Sequence, residues 1–436
     1  MILEKITGFL GLGNIAGTDS RTALLIGASM MISVIHQPNQ PLLWAVFLPQ
    51  LGSIILILIP MLYINRRNID LGDKWVWIPL AVIVGIGVAR VPYAWITGDT
   101  LWGMTKEITH AVYLVCMFLL YLTCRKLGSA VFKIMPFFAV VASLGMVVFG
   151  FVNPGLRTGG LISYANYDIA TIFLIMTVLL SPAEKRWWLS AFAVVGLFFT
   201  GAEVALFAMA VLFITLLIRR DWGKRALLPV AALCITLLIC TPLGITQKLY
   251  TSAYNRVAAL ADVPFADDTI ANVPTVDVFN FPAANLTEKD ALLDKATNLR
   301  WTMFWKISPI KPLGYGYNIN YFYYPLDESR GATAEGEGTG AGIGDRLLKA
   351  GVLGGIPHNQ ILIIIEQLGL VALLAWLVVT GRLLLKSGWT YVWIAYLALG
   401  VFDHEEFTVA APWFFVMAGV CSANPMKVKD YIFRRA

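Results

Sequence analysis

Charge is what this sequence lacks. Only 14% of its 436 residues are Asp, Glu, Lys or Arg, against 58% hydrophobic ones, and the mean hydropathy is +0.72. A chain of this length otherwise makes two or three soluble domains; so little charge excludes them and makes the bilayer the solvent. Cysteine is sparse as well. Cys116, Cys124, Cys234, Cys240 and Cys421 lie in or beside apolar runs, and the hydrophilic stretch from about 245 to 357 has none, which excludes a disulfide framework. The opening MILEKITGFLGLGN lacks a basic region followed by a small-residue cleavage site, so it reads as an interfacial segment rather than a removable signal. A phosphate loop is missing too: the glycines of GEGTGAGIGD have neither the lysine nor the preceding strand of one. No internal repeat is visible.

What the chain does have is a succession of uncharged runs near the length that crosses a bilayer. In hydrocarbon each backbone amide must bond within its own segment, so these runs are helices and the fold class is all-α, polytopic and membrane-embedded. Basic marks punctuate the runs: Arg66 and Arg67, Arg125 and Lys126, Lys185 and Arg186, the group Arg219 to Arg225, Arg382 with Lys386, and the tail from Lys427. With these on the cytoplasmic side, about twelve spans alternate in direction. They are expected at 22–36, 41–64, 75–96, 105–123, 131–152, 168–182, 187–200, 203–218, 226–244, 358–380, 388–402 and 408–423. Both termini are then cytoplasmic. Three parts result: spans one to nine over 1–244, one large outer loop over 245–357 capping an outward-facing cavity, and spans ten to twelve with a cytoplasmic tail over 358–436. The net charge of +6 is accounted for by positive-inside anchoring, so nucleic acid is not an expected partner and membrane lipids are.

The short outer connections hold a single arginine, Arg157, in LRTGGLISYANYDIATIF. A cation there runs against the topological bias; binding an anion is one reason for it, and pairing with Asp168 or Glu203 is another. From Trp187 to Ile218 the chain is almost uninterruptedly apolar between basic flanks, so it must go out and return, turning at Gly201 and Ala202. Each arm of about fifteen residues reaches roughly 22 Å against a hydrocarbon thickness of about 30 Å. Glu203 is therefore expected below the outer surface, lining a wet depression, where ionisable groups at that depth are usually found.

Where the large loop re-enters the membrane, the chain reads IPHNQILIIIEQLGLVALLAWL. Pro357 suits a first helical turn, and His358 lands at the membrane surface. Asn359 and Glu366 are seven residues apart and are expected on one inward helix face. Two roles are open to His358, a titrating base or an interfacial imidazole satisfied by loop backbone. Arg300, beside Trp301 and Trp305, either grips phosphate or pairs with a loop carboxylate. Arg90 and His110 are ionisable groups inside spans; they bind lipid phosphate or pair with Glu107. Asp403, His404, Glu405 and Glu406 point in different directions at a helix end and do not make a metal site. Asn285, Leu286 and Thr287 form a glycosylation sequon.

The arginine beside tryptophan in the long loop, the element PLGYGY at 312–317, and His358-Asn359 followed by Glu366 and Gly369 form a recognisable set. With RTGGLISYANYDIA before an apolar helix, it resembles the O-antigen ligase and O-antigen polymerase superfamily of bacterial cell envelopes, over roughly residues 150 to 380. The resemblance implies an inverting glycosyltransferase that needs neither metal nor cofactor. Its donor is an undecaprenyl-diphosphate-linked glycan, and transfer occurs on the periplasmic face. It also implies His358 as the general base on an acceptor hydroxyl and Arg300 on the diphosphate, with Arg157 and Arg90 as further diphosphate contacts and Asn359, Glu366 and Glu203 in support. Ligases of this superfamily often carry an arginine between spans seven and eight, where this chain reads Gly201, Ala202, Glu203. A ligase delivers the glycan to lipid A core, whereas a polymerase delivers it to a second lipid-linked glycan; an enzyme of O-linked protein glycosylation is a third form. From another class, a lipid-linked glycan transporter would place polar groups and broken helices near the midplane and show related halves.

Overall fold

A computed structural model of the protein describes residues 69–96, 101–128, 135–152, 187–201, 227–265, 271–273, 284–297, 310–316, 359–387 and 411–423, with short pieces at 62, 209–211, 213–214, 393–394, 397 and 400. Nine helices are described: α1 (Lys74–Ile96), α2 (Leu101–Leu127), α3 (Met135–Val152), α4 (Trp187–Phe199), α5 (Leu227–Cys240), α6 (Gln247–Asp262), α7 (Glu288–Thr297), α8 (Gln360–Lys386) and α9 (Ala411–Ala423). Among the described residues, three stretches are long and apolar enough to cross a membrane: Lys74–Ile96, Glu107–Leu127 and Gln360–Lys386. Shorter apolar helices are described at Ser143–Val152, Trp188–Phe199, Leu227–Cys240 and Phe414–Ala423. These seven fall where spans are expected at 75–96, 105–123, 358–380, 131–152, 187–200, 226–244 and 408–423. The expected spans at 22–36, 41–64, 168–182, 203–218 and 388–402 lie wholly or mostly outside the described residues.

The helices pack α1 on α2 and α8, α2 on α9, α3 on α4 and α4 on α5, around a common apolar core that includes Leu80, Leu114, Tyr121, Val194, Leu368 and Phe414. Small residues let backbones approach, as is usual where lipid removes the hydrophobic drive between helices. A methyl on Gly196 would meet Ser143 of α3, and one on Gly419 would sit 2.6 Å from the Tyr121 carbonyl of α2. The outgoing arm α4 ends at Phe199 and turns through Thr200 and Gly201, where the reversal between short arms is expected, with the Thr200 hydroxyl donating to the Leu197 carbonyl. The all-α expectation needs one small correction. β1 (Ala271–Val273) and β2 (Ala284–Leu286) pair antiparallel in the large hydrophilic stretch, with Asn272 opposite Asn285. Thr287 of the sequon then opens α7, trading hydrogen bonds with Asp290 as a capping box does, so its hydroxyl is engaged in folding.

The start of α1 and the ends of α2, α8 and α9 meet at one pole. Arg125 of α2 donates to the Ser422 carbonyl of α9 and pairs with Asp70 at 3.0 Å. Arg382 of α8 donates to Asp73, whose other carboxylate oxygen accepts from the Trp75 amide and so caps α1. Burial pushes the Asp73 carboxyl up, but the Arg382 hydrogen bond, the Trp75 amide and the charges of Arg382 and Lys386 outweigh it and leave the group below its usual 3.8. Because the folded value is the lower one, this contribution to stability is complete above pH 3.8 and is lost as pH falls through the folded value. Asp73→Asn, which retains the cap and loses the charge, is expected to lower stability by well under 1 kcal/mol. Asp73→Ala loses both and costs about 1 kcal/mol more. Thermal unfolding in detergent at pH 7 and at about pH 2 separates the two, since the charge component fades only as pH falls below 3.8.

Candidate functional site

The polar interior of the bundle is organised around a break in α8. Gly369 has φ 84 and ψ −177, a backbone region that residues with a Cβ scarcely enter. An unbroken helix would bond the Leu370 amide to the Glu366 carbonyl and the Val371 amide to the Gln367 carbonyl. Here both bonds are opened and the segment 310–316 (IKPLGYG) is inserted between their ends. The Glu366 carbonyl accepts from the Tyr315 amide at 2.6 Å, and the Gln367 carbonyl from the Gly316 amide at 3.0 Å. On the other side of the break the Leu370 and Val371 amides donate to the Lys311 and Pro312 carbonyls, each at 3.2 Å. Four hydrogen bonds replace two, so each of the four opened groups is satisfied, as burial demands.

The insertion requires close contact between two backbones. A Cβ on Gly314 would lie 2.5 Å from the Gln367 carbonyl oxygen, and one on Gly369 would collide with the Pro312 carbonyl and the Gly314 amide. Arg90 of α1 fastens the inserted turn from the opposite side. Its Nη1 donates to the Gly314 carbonyl at 3.2 Å and its Nη2 to the Tyr315 carbonyl at 2.5 Å. Glu107 of α2 stands beside it: a Cβ on Gly316 would touch both the Glu107 carboxylate and the Arg90 guanidinium. Lys311 folds over the Tyr315 ring, its Nζ 4.2 Å from the ring centre. Burial, and then the Arg90 charge, push the Lys311 ammonium below its ordinary value; burial, and then the Glu366 carboxylate, raise the Tyr315 phenol.

These charged groups occupy one layer. Counting at 1.5 Å per residue from the polar pole, Arg90 is about 25 Å above Asp73, Glu107 about 27 Å above Arg125, and Glu366 about 24 Å above Arg382. All three are buried, Arg90 to 9% exposure and Glu366 to 2%, and His110 lies one turn along α2 from Glu107. Against a hydrocarbon thickness of about 30 Å, this puts a buried polar layer near the edge of the bundle that faces away from the basic pole. Gln367, fully buried next to Glu366, finds no hydrogen-bond partner for its side-chain amide among the described residues.

Among the expected site residues, Arg90 and Glu366 are brought together by the inserted segment. Of the roles open to Arg90, its position favours the one beside Glu107, with its terminal nitrogens spent on the loop. Asn359 corrects an expectation. It does not share a helix face with Glu366, because it stands before the helix with extended backbone (φ −155, ψ 125) and caps it. Its Oδ1 accepts from the Ile361 and Leu362 amides at 2.9 and 3.1 Å. His358, Arg300, Arg157 and Glu203 lie outside the described residues. Sequence reasoning missed the break and the contributions of Lys311, Tyr315 and Gln367; the paired glycines of PLGYGY were the available signal.

Arg90→Met is expected to destabilise the fold by roughly 2 kcal/mol, because it strips charge-assisted donors from two buried carbonyls. Arg90→Lys should recover less than half of this, since one ammonium cannot reproduce the fork that reaches both oxygens. Unfolding midpoints in detergent check the order; equal stability of all three proteins would remove Arg90 as the clamp.

Comparison with family models and with curated proteins finds no match to this chain.

Proposed function

We propose that the protein is a bacterial inner-membrane glycosyltransferase of the O-antigen ligase type, with about twelve spans, cytoplasmic termini, and a periplasmic loop over 245–357 covering its site. The observation that carries this reading is the interlock at Gly369. The elements on which the resemblance rests, PLGYGY and the Glu366 to Gly369 segment, are far apart in sequence and form one structural unit, with glycine where only glycine fits. The basic pole assigned to the cytoplasm leaves the buried polar layer near the periplasmic edge, the depth at which a polyprenyl diphosphate presents its headgroup.

In this reading the acceptor hydroxyl loses its proton to the imidazole of His358, and its oxygen forms a bond to the anomeric carbon. The bond from that carbon to the diphosphate oxygen breaks with inversion. Arg300 and Arg157 receive the charge that develops on the leaving diphosphate. Asn359 fixes the start of α8 next to His358 in the chain, and Glu203 lines the depression. Arg90 serves by holding the inserted loop rather than by touching phosphate. No metal or cofactor takes part.

The break in α8 also favours a second reading, since lipid-linked glycan transporters use discontinuous helices. Its four freed backbone groups are all consumed by the inserted loop, however, and none is left to coordinate cargo. The discriminating experiment presents the purified protein, in detergent with EDTA, with undecaprenyl-diphosphate-linked glycan and either lipid A core or further lipid-linked repeat. Glycan on lipid A core supports the ligase, and chain growth supports a polymerase. Absence of transfer with both acceptors, together with flipping in reconstituted vesicles, would overturn the enzyme reading.

A further inference from the structure

We infer that α6 lies in the membrane interface and docks the large hydrophilic loop onto the lipid surface. At about 100° per residue, α6 has three faces. One carries Tyr250, Tyr254 and Val257, which are 57%, 72% and 67% exposed. A second carries the exposed polar residues Thr251, Asn255 and Asp262. The third holds the buried Ala259, and the helix packs on α7. Protein covers one side, so the helix leaves two unlike surfaces open, one apolar and aromatic and one polar. A helix in water gains nothing from this segregation, whereas one lying along a bilayer surface is stabilised by it, and tyrosine is enriched at that depth.

The occupant of the apolar face follows from its continuity with a surface already given to lipid. Helix α5, apolar throughout, exposes Leu238 and Ile239 and ends at Cys240. The turns of 241–246 follow at once, tied by the Ile245 amide to the Cys240 carbonyl, and Gly244 (φ 72) reverses the chain into α6. Leu243, 56% exposed, lies in the turn between α5 and α6, and Phe265, 87% exposed, follows the end of α6. A helix that starts so soon after an apolar one, with exposed apolar side chains before, along and after it, stays at the headgroup level. The inference concerns the membrane and does not depend on the reaction proposed above.

Single cysteines at 250, 254, 257, 251 and 255, in full-length protein with Cys234→Ala, give nitroxide sites away from the remaining buried thiols. Reconstituted in nanodiscs, the spin labels are read by collision with oxygen, which partitions into lipid, and with a nickel chelate, which stays in water. The oxygen-to-nickel ratio is expected to be several-fold higher at 250, 254 and 257 than at 251 and 255. A water-like ratio at all five positions would overturn the inference. So would loss of both collisions at 250, 254 and 257, which would mean that a protein surface such as a second copy covers them.

Discussion

Replacing Gly369 with alanine is expected to destabilise the protein by roughly 3 kcal/mol or more, the combined effect of a forbidden backbone region and a backbone collision. With φ 84 and ψ −177 the position admits essentially glycine alone, and the added methyl would run into the Pro312 carbonyl and the Gly314 amide. Neither obstacle is a flexible side chain, so relief must come from expelling the inserted loop. Expulsion gives up four hydrogen bonds to the loop, of which closing α8 into an unbroken helix would restore only two. Gly314→Ala should follow closely, because its methyl meets the Gln367 backbone at φ +66. Gly316→Ala is strained at φ +92 but meets only the ends of the Glu107 and Arg90 side chains, which can shift, and should cost less. Gly85→Ala is the control: nothing lies within 4 Å of its methyl, and helical alanine gains up to about 1 kcal/mol over glycine. Unfolding midpoints in detergent give the order. If Gly369→Ala tolerates heat as Gly85→Ala does, the loop is not held in the break.

The helices themselves were largely legible. The expected run 75–96 is α1 to within a residue, because a long apolar stretch between charged flanks has one solution in hydrocarbon. The outgoing arm and its turn at Thr200 and Gly201 were readable from length alone, since an uninterrupted apolar run flanked by basic residues at both ends has to reverse. The break in α8 was not. QILIIIEQLGLVALLAW has the composition of a continuous helix, and a glycine within it costs little on its own. What fixes the break is a partner more than fifty residues away that supplies four backbone bonds, and hydrophobic periodicity carries no information about backbone partners.

The site shows the same division. Arg90 and Glu366 stood out because charge inside an apolar run is costly and must have a partner. The partners of the Arg90 guanidinium could not be read, because they are main-chain carbonyls of a glycine-bearing turn. The spacing of Asn359 and Glu366 misled for a related reason. Seven residues place two side chains on one face only if both belong to the helix, and the asparagine serves instead as its cap. The proline at 357 and the cap at 359 together specify where α8 begins, directly after His358 in the chain.

That residue provides the sharpest functional expectation. His358→Ala is expected to reduce glycan transfer by about 10²- to 10⁴-fold, the usual contribution of a positioned general base. Binding of the undecaprenyl-diphosphate-linked donor should change little, since the imidazole acts on the acceptor hydroxyl and not on the diphosphate. A base must be neutral, so wild-type transfer should rise with pH through the imidazole range near 6.5 and level off above it. The variant's residual rate should lack that rise. Stability separates chemistry from folding. Asn359→Ala removes the cap from the Ile361 and Leu362 amides and should cost about 1 kcal/mol, whereas His358→Ala should leave the unfolding midpoint where it is. If His358→Ala lowers the midpoint as much as Asn359→Ala while transfer keeps its pH profile, the histidine is a structural group at the membrane surface. The base must then be sought among the other carboxylates of the proposed site, with Glu203 first.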